Sequence, residues 1–330
     1  MSKTIFKSKL GKIICDDSLK YIKNNLKDNS IDLIVTSPPF ALLREKDYGN
    51  VSADKYCEWI KPFILEFKRV IKDSGSIVID IGSTWERGKP IKSIYQYKML
   101  VMVVEECGLN LVQDFFWWNP SKLPTPAEWV TVRRIRVKDA VNNVYWLAKS
   151  PYPKASNKRV LTKYSASMEK LLADGYNPKL RPSGHNISDK FQRDNKGAIP
   201  PNLLAIPNTI SADSYTKYCK KNELPIHQAR FPADFPKYFI SMTTDKEDIV
   251  LDPFSGSCIT GAVCEELFRK WICIDNDIKF CQGGEGWFKA DAIGAKKTKK
   301  EITHYKIYTP LFNGDDSKPL DKSGGKKRKN

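Results

Sequence analysis

The sequence predicts an α/β protein built around a doubly wound, largely parallel sheet. Seven short apolar segments of strand length recur along the chain, and stretches of helical length separate the early ones. Near residue 252 a strand, a small-residue turn and a helix-compatible run follow one another, which is the nucleotide-binding corner of such folds. A chain of 330 residues is long enough to bury one large core of this kind and to carry an insertion.

The predicted strands are short apolar runs of β type. They lie near residues 12–15, 31–36, 76–81, 113–118, 143–148, 248–252 and 270–275. Helix-like stretches cover residues 19–26, 55–71 and 91–107. Because helical crossovers join parallel strands, we expect the loops that follow these strands to meet at one edge of the sheet.

The second predicted strand ends in Thr36-Ser37-Pro38-Pro39-Phe40. Two consecutive prolines cannot extend a sheet, so the strand ends in a rigid corner with free carbonyl groups. The hydroxyl of Ser37 and the carbonyl of Pro38 can accept N–H bonds from a planar group that carries an amine, and the ring of Phe40 can stack on it. An ordinary proline turn is the other interpretation of these residues taken alone.

The third predicted strand contains Asp80 near its end. We expect this carboxyl group at the same sheet edge as Ser37, where it would accept the proton that an amine releases. A helix-capping or charge-paired aspartate is the alternative interpretation.

The second corner follows the strand near residues 248–252 and runs Asp252-Pro253-Phe254-Ser255-Gly256-Ser257. It lacks the lysine of a phosphate-binding loop and the glycine spacing of a dinucleotide fingerprint. The next strand ends on Asp275, and an acid at this position suits the two hydroxyls of a ribose. The corner therefore predicts a nucleoside-bearing cofactor without a phosphate requirement.

Residues 150–225 are rich in Pro, Ser, Asn and Lys and lack strong periodicity. Between residues 150 and 200 there are ten Lys or Arg against four acids, and the whole chain has a formal net charge of +17. An excess of this size favours a polyanionic partner, so we expect this segment to face nucleic acid. The lysine-rich tail, residues 291–330, is predicted to be a disordered, solvated segment, with weak phosphate contact as the alternative.

The two corners resemble the motifs of the amino-group DNA methyltransferases that use S-adenosylmethionine. The Ser-Pro-Pro-Phe motif precedes the Asp-Pro-Phe-Ser-Gly-Ser motif, which is the permuted order of the β group of this family. The resemblance covers most of residues 12–280, is closest to cytosine-N4 enzymes, and includes the stretches 36–50, 119–124, 181–185 and 229–233. Cys258 departs from the family pattern, which often has glycine or a small polar residue there, and puts the local turn geometry in question.

This resemblance implies a seven-stranded methyltransferase sheet with circularly permuted motif order and an inserted target-recognition region. It implies that S-adenosylmethionine is the cofactor and that a cytosine flipped from double-stranded DNA receives the methyl group on N4. The implied catalytic residues are Ser37, Pro38, Pro39, Phe40 and Asp80. The implied cofactor-binding residues are Asp17, Phe231, Pro232, Asp252, Pro253, Phe254, Ser255, Gly256, Ser257 and Asp275.

Five basic residues are candidates for DNA contact. Arg133, Arg134 and Arg136 precede a predicted strand and would meet phosphates, while Arg181 and His185 lie in the insertion and would read base edges. A solvated surface explains either set equally well.

Two other functions stay open. An adenine-N6 methyltransferase would use the same chemistry, although aspartate or asparagine usually replaces Ser37 there. A DNA-binding protein or nuclease that merely keeps the fold belongs to another class; the triplet Glu66-Phe67-Lys68 is too common a pattern to support a nuclease. Cytosine-C5 methylation is disfavoured, because no proline in the chain is followed by cysteine.

The predicted organisation has four parts. Residues 1–149 form the catalytic half, 150–225 the target-recognition insertion, 226–290 the cofactor-binding half and 291–330 the tail. No apolar run has transmembrane length, and eight unpaired-looking cysteines with three dispersed histidines argue against a disulfide framework or a zinc site. We therefore expect a cytoplasmic prokaryotic protein that binds no metal. Analogy with modification enzymes implies that it is the modification arm of a restriction–modification system and that a separate cognate endonuclease accompanies it.

Overall fold

The computed structural model describes residues 2–41, 51–174, 193–209 and 213–289. They form one mixed sheet of nine strands in the order β1-β2-β9-β8-β3-β4-β6-β5-β7. The strands are β1 Lys3–Lys7, β2 Gly11–Cys15, β3 Ile31–Thr36, β4 Ile71–Ile81, β5 Asn110–Trp118, β6 Val141–Ala148, β7 Leu203–Ala205, β8 Ile249–Asp252 and β9 Lys270–Asp275.

Helices cover both faces of this sheet, so that two apolar clusters form on its opposite sides. The α-helices are α1 Ser18–Asn25, α2 Tyr56–Val70, α3 Tyr95–Val101, α4 Ala166–Asp174, α5 Ser214–Lys221, α6 Asp234–Thr243, α7 Ile259–Glu266 and α8 Ile278–Gly284. Helix α3 continues into a π-helical turn, Met102–Glu106, and a second π-helical turn, Glu128–Val132, lies between β5 and β6.

Strand β3 is the middle of the sheet, and all six of its residues are buried. It pairs in parallel with β4 on one side and with β8 on the other. Its one charged residue is Asp32. The carboxylate of Asp32 accepts hydrogen bonds from the ammonium of Lys72 at 2.8 Å and from the backbone N–H of Ile249 at 3.0 Å. A buried carboxylate is tolerated here because each neighbouring strand supplies a donor.

The carboxyl ends of the central strands share one edge of the sheet, because β2, β9, β8, β3 and β4 are mutually parallel. Strand β6 is antiparallel to β4, so its first residues, not its last, reach this edge. The edge therefore collects residues from distant parts of the sequence, as open α/β sheets do at their ligand sites.

All seven predicted strands are confirmed, as are the three helix-like stretches to within a few residues at each end. The structure adds β1 and β7, which are the two outer strands of the sheet. Strand β7 lies inside the segment 150–225 and pairs with β5. Part of that segment is thus continuous with the sheet rather than a separate body.

The beginning of the same segment is fastened to the opposite sheet edge. Lys154 and Arg159 form ion pairs with Asp245, at 3.1 and 2.6 Å, and Lys154 also pairs with Asp248. Both acids precede β8, far from the carboxyl edge. These two cations therefore stabilise the fold, and they do not contribute to a basic surface around the carboxyl edge.

All eight cysteines are free thiols, most of them buried. Within the described ranges, no helix has the length and apolar character needed to span a bilayer. The same residues contain no group of three or more His, Cys, Asp or Glu side chains arranged to hold a metal ion.

Candidate active site at the carboxyl edge of the sheet

Two adjoining cavities open at the carboxyl edge of the sheet. The larger, of about 420 Å³, lies over the ends of β8, β9 and β2, and we call it the nucleoside cavity. The smaller, of about 270 Å³, lies over the ends of β3, β4 and β5 and over the start of β6, and we call it the base cavity. Five residues line both cavities: Ser37, Phe40, Ala229, Arg230 and Phe231.

The floor of the base cavity is a hydrogen-bonded chain of three side chains. The hydroxyl of Ser37 donates to Oδ2 of Asp80 at 2.9 Å. The amide of Asn142, at the start of β6, donates to Oδ1 of the same carboxyl at 3.0 Å. Because the serine hydrogen points to Asp80, the lone pairs of Oγ remain available to accept a bond from a ligand.

The carboxyl of Asp80 is almost completely buried, with 1% of its surface exposed. Burial raises its pKa to about 7, although the bonds from Asn142 and Ser37 and the positive charge of Lys122 act in the opposite direction. A buried carboxyl with a pKa near neutrality can exchange a proton under ordinary conditions, as a general base requires.

The ring of Phe40 forms a flat wall of the base cavity. It lies so close to the backbone of Gly82, just after β4, that a Cβ atom there would come within 2.5 Å of the ring. Trp117 of β5 also lines the cavity, and its indole N–H donates to the carbonyl of Ile206 at 2.8 Å. With Phe231, three aromatic side chains line the cavity beside several polar groups, which suits a planar, polar ligand the size of one nucleobase.

The turn after β8 and the end of β9 form the rim of the nucleoside cavity. Gly256 has a left-handed backbone with φ of +47°, which glycine adopts without strain. Its backbone N–H donates to Oδ2 of Asp275 at 2.8 Å, and the N–H of Asp277 donates to Oδ1 at 3.0 Å. Burial raises the pKa of Asp275, against the effect of these bonds. The two backbone N–H bonds hold the Asp275 carboxyl in a fixed orientation at the cavity wall.

Aromatic rings form the opposite wall of the nucleoside cavity. Phe254 packs against Phe63 and Trp59, with ring centroids 5.0 and 5.9 Å apart. Asp17 lines the cavity near the start of α1, where its carboxylate also caps the helix by accepting from the N–H of Lys20 at 2.8 Å. The carboxylates of Asp17 and Asp275 can accept N–H and O–H bonds, and the aromatic rings can stack on a flat base, so the cavity fits an adenosyl group.

Most predicted cofactor residues are brought together here, and two are not at the surface of the cavity. Pro253, Ser255, Ser257 and Phe231 line it with the residues named above. Asp252 is fully buried beneath it, where its two oxygens accept from the hydroxyls of Thr36 at 2.8 Å and Thr260 at 2.6 Å. Pro232 does not line either cavity; its carbonyl accepts from the N–H of Phe235 at the start of α6.

Burial raises the pKa of Asp252 to about 6, while its bonds from Thr260 and Thr36 act in the opposite direction. Since Thr36 ends β3 and Thr260 belongs to α7, this carboxyl joins the two corner motifs through its hydrogen bonds. Asp252 is therefore a positioning residue in this structure.

The three arginines predicted to meet phosphates lie on the exposed segment between β5 and β6 and line neither the base cavity nor the nucleoside cavity. Arg133 pairs with Glu128 at 2.7 Å, and Arg136 donates to the carbonyls of Pro90 and Ile135. Arg134 has no side-chain partner among the described residues. Arg181 and His185 fall outside the described residues.

Several residues at the site were missed by the sequence analysis. Asn142, Lys122 and Asn119 line the base cavity, and His227 lines the nucleoside cavity. Arg230 lines both, and its guanidinium is held by Asp213 at 2.7 Å and lies over the ring of Tyr215. Burial lowers the pKa of His227 to about 4, and the charge of Arg230 adds to this effect. The imidazole is therefore neutral near pH 7.

Cys258 adopts the left-handed conformation, with φ of 59°, at the residue preceding α7. Family members often have glycine here, and the backbone of this chain keeps the conformation that glycine favours. Its side chain is fully buried against Gly284. The departure from the family pattern therefore leaves the turn itself intact.

The chain matches the model of a protein family described as DNA methylase over residues 31–285. It is similar to Type II methyltransferase M.PvuII of Proteus hauseri, with 43% identity over 308 residues that cover 92% of this chain and 90% of that protein. It is also 28% identical to Type II methyltransferase M.HpaI of Haemophilus parainfluenzae over 271 residues, covering 80% of this chain and 69% of that protein.

Among solved structures, one described as PvuII DNA methyltransferase (cytosine-N4-specific) resembles the fold with a TM-score of 0.71. The two chains are 37% identical, and the match covers 88% of this chain and 90% of the other. These findings confirm the family resemblance and the fold class predicted from the sequence.

Proposed function

Because this chain belongs to the DNA methylase family, we propose that it transfers a methyl group from S-adenosylmethionine to the exocyclic N4 amine of a cytosine in duplex DNA. The observation that carries the proposal is the bond between Ser37 Oγ and Asp80 at the wall between the two cavities. The likeness to the solved structure described as PvuII DNA methyltransferase (cytosine-N4-specific), 37% identical to this chain, supports the same activity.

The nucleoside cavity fits the methyl donor. Its volume, its aromatic wall and its two acids suit an adenosyl group, and no lysine is among the described residues that line it. S-adenosylmethionine supplies, when bound, a methyl group already activated by a positively charged sulfur. The residues of this chain therefore need to orient the amine and to accept its proton.

The amine of cytosine is a poor nucleophile because its lone pair is delocalised into the ring. Ser37 Oγ, whose hydrogen is held by Asp80, accepts an N–H bond from the amine, and the Pro38 carbonyl accepts the other. These bonds favour a pyramidal nitrogen whose lone pair faces the nucleoside cavity. As nitrogen bonds to the methyl carbon and the carbon–sulfur bond breaks, one amine proton passes through Ser37 to Asp80.

The target base must leave the DNA double helix to reach Ser37 and Asp80 at the floor of the base cavity. Duplex DNA holds the amine inside the base stack, so the nucleotide has to flip into the base cavity, where Phe40 and Trp117 enclose it. The cost of unstacking is offset by stacking on these rings.

Two further parts of the proposal concern the cellular location of the enzyme and the system in which it acts. The bacterial source of the similar proteins supports a cytoplasmic prokaryotic enzyme. The term "Type II" in their names supports a modification role beside a separate restriction endonuclease. Residues 150–225 are proposed to include the target-recognition region, between the catalytic half at 1–149 and the cofactor half at 226–290.

The test is to incubate the purified chain with unmethylated DNA and S-adenosylmethionine, digest the product to nucleosides and weigh them by mass spectrometry. We expect N4-methylcytosine. Recovery of N6-methyladenine alone would establish the adenine alternative, and unmodified DNA despite measurable cofactor binding would favour a non-catalytic DNA-binding protein.

A further inference from the structure

One wall of the base cavity carries a cationic donor that the proposed reaction does not use. Lys122 lines this cavity together with Ser37 and Asp80. Within the described ranges its ammonium group makes no hydrogen bond and no ion pair. Burial lowers the pKa of Lys122, while the carboxylates of Asp139 and Asp80 act in the opposite direction. A partly buried ammonium without a partner is costly unless a ligand supplies an acceptor.

The turn that carries this lysine is held in place by its own hydrogen bonds. The backbone N–H of Lys122 donates to the carbonyl of Asn119 at 3.1 Å. Lys138 donates to the carbonyls of Pro120 and Lys122 at 3.0 and 3.3 Å. Asn119 is fixed in turn by the N–H groups of Ser121 and Asn208, both 3.1 Å from its Oδ1. The donor is thus preorganised, as a recognition group should be.

The orientation of Asn119 adds a second donor to the same wall. Since its Oδ1 accepts from two backbone N–H groups, its amide nitrogen is left to donate. The base cavity is therefore lined both by acceptors, Ser37 Oγ and Asp80, and by donors, Lys122 Nζ and Asn119 Nδ2.

This arrangement matches the Watson–Crick edge of cytosine better than that of adenine. Cytosine presents an amine donor, the N3 acceptor and the O2 acceptor in a row. Adenine presents an amine, the N1 acceptor and then a C–H group. A donor placed to reach the third position gains a charge-assisted bond with cytosine and is left unpaired with adenine.

We propose that Lys122 is a specificity-determining residue that donates to O2 of the flipped base and so selects cytosine over adenine, with Asn119 as the neighbouring donor. The inference rests on the proposed methyl transfer to cytosine and deepens it. Phosphate contact is the competing role for a lysine near DNA, and it predicts a different outcome in the test below.

The test measures equilibrium binding of duplexes that carry the chain's own methylation site, mapped first by sequencing DNA it has modified. S-adenosylhomocysteine is present, and the target position holds cytosine, adenine or an abasic sugar. We expect Lys122→Met to reduce the preference for cytosine over adenine roughly 10- to 150-fold. Affinity for the abasic duplex should not change, because it keeps every phosphate. Lys122→Gln, which keeps a neutral donor, should retain part of the preference.

Lys89→Met is the matched control, since Lys89 is 65% exposed on a neighbouring loop and does not line the base cavity. Calorimetric binding of S-adenosylhomocysteine checks that each variant is folded. An unchanged preference in Lys122→Met overturns the proposal, as does equal weakening on all three duplexes with a lower salt dependence. Wild-type enzyme that prefers adenine would instead overturn the proposed cytosine activity.

Discussion

At the scale of single residues, Asp80 combines its proposed catalytic role with a cost in stability. Its carboxyl is buried and has a pKa of about 7, above the ordinary value of 3.8. The native state therefore binds more protons than the unfolded state between about pH 4 and pH 7. The free energy of unfolding must fall as pH rises through this window, because the ionised carboxylate is better solvated in the unfolded chain.

Replacing Asp80 with asparagine should remove this cost and the activity together. We expect Asp80→Asn to raise the free energy of unfolding above pH 7, by roughly 4 kcal/mol as an upper bound. The gain should shrink as the pH falls and disappear well below the ordinary pKa of 3.8, where the wild-type carboxyl is neutral in both states. Denaturant titrations at pH 5 and pH 8 measure it, and a difference independent of pH would contradict the assigned pKa.

Ser37 belongs to the wall shared by both cavities, yet its hydroxyl is committed to the base side through Asp80. We expect Ser37→Ala to lower kcat by roughly 100-fold or more, the usual effect of losing one oriented polar group at the reacting atom. Cofactor affinity should stay close to wild type. Steady-state kinetics and calorimetry with S-adenosylhomocysteine separate the two effects.

Ser83→Ala is the matched control, because the Ser83 hydroxyl also donates to a carboxylate, Asp139, at 2.5 Å but lies outside both cavities. It should keep near-wild-type kcat. Full activity in Ser37→Ala would remove the serine from the mechanism.

At the scale of elements, the geometry at the end of β4 depends on Gly82, which directly follows the strand, as much as on Asp80. The Phe40 ring occupies the space where a Cβ of residue 82 would be, 2.5 Å from the nearest ring carbon. We expect Gly82→Ala to displace Phe40 and to lower kcat/KM for DNA about tenfold or more, since base–aromatic stacking contributes roughly 1–3 kcal/mol per base. Cofactor affinity should fall by less.

A double-mutant cycle tests this cause. In a Phe40→Leu background the further change Gly82→Ala should cost little, because the ring it displaces is already gone. Additive losses in the cycle would mean that Gly82 acts through the backbone rather than through Phe40.

The elements that the sequence predicted are those with a strong local signal. Strand β3 is an uninterrupted apolar run followed by two prolines, and the turn after β8 carries its own small-residue signature. Strands β1 and β7 were missed because both are edge strands. Strand β1 has no buried residue, and β7 has only three residues in a proline-rich context. For such strands pairing, not composition, decides the structure.

The missing site residues have the same physical explanation. Asn142 reaches Asp80 because β6 runs antiparallel to β4, which pairs Val144 with Asp80 and places the start of β6 at the carboxyl edge. The local sequence does not indicate whether β6 runs parallel or antiparallel to β4. Asp252 was expected to touch the cofactor, whereas its role beneath the cavity depends on contacts with Thr36, which lies 216 residues earlier.

At the scale of the whole molecule, the basic residues behind the net charge of +17 have two different roles. Some form ion pairs that stabilise the fold, and others are candidates for DNA contact. Lys154 and Arg159 are used in ion pairs at the edge opposite the active site. Arg134 is exposed on the segment that joins β5 to β6 and has no side-chain partner in the described part of the chain. Its guanidinium is therefore a candidate for a phosphate contact.

DNA affinity should fall steeply with salt, and Arg134→Gln should weaken binding to all sequences and reduce the salt slope by about one unit. Fluorescence anisotropy between low and moderate salt measures both. Lys27→Gln, on the exposed turn before β3 at the opposite edge, should change neither. A flat salt dependence in the wild type would contradict a basic docking surface.

The common wall of the two cavities has a consequence for inhibition. Ser37, Phe40 and Phe231 line both compartments, so ligands bound in the two would contact the same side chains. A single compound that tethers an adenosyl group to an aminopyrimidine by a short bridge would fill both compartments at once. The second half would then bind at a high effective concentration, and its avidity would exceed that of either half by roughly 10²–10⁴.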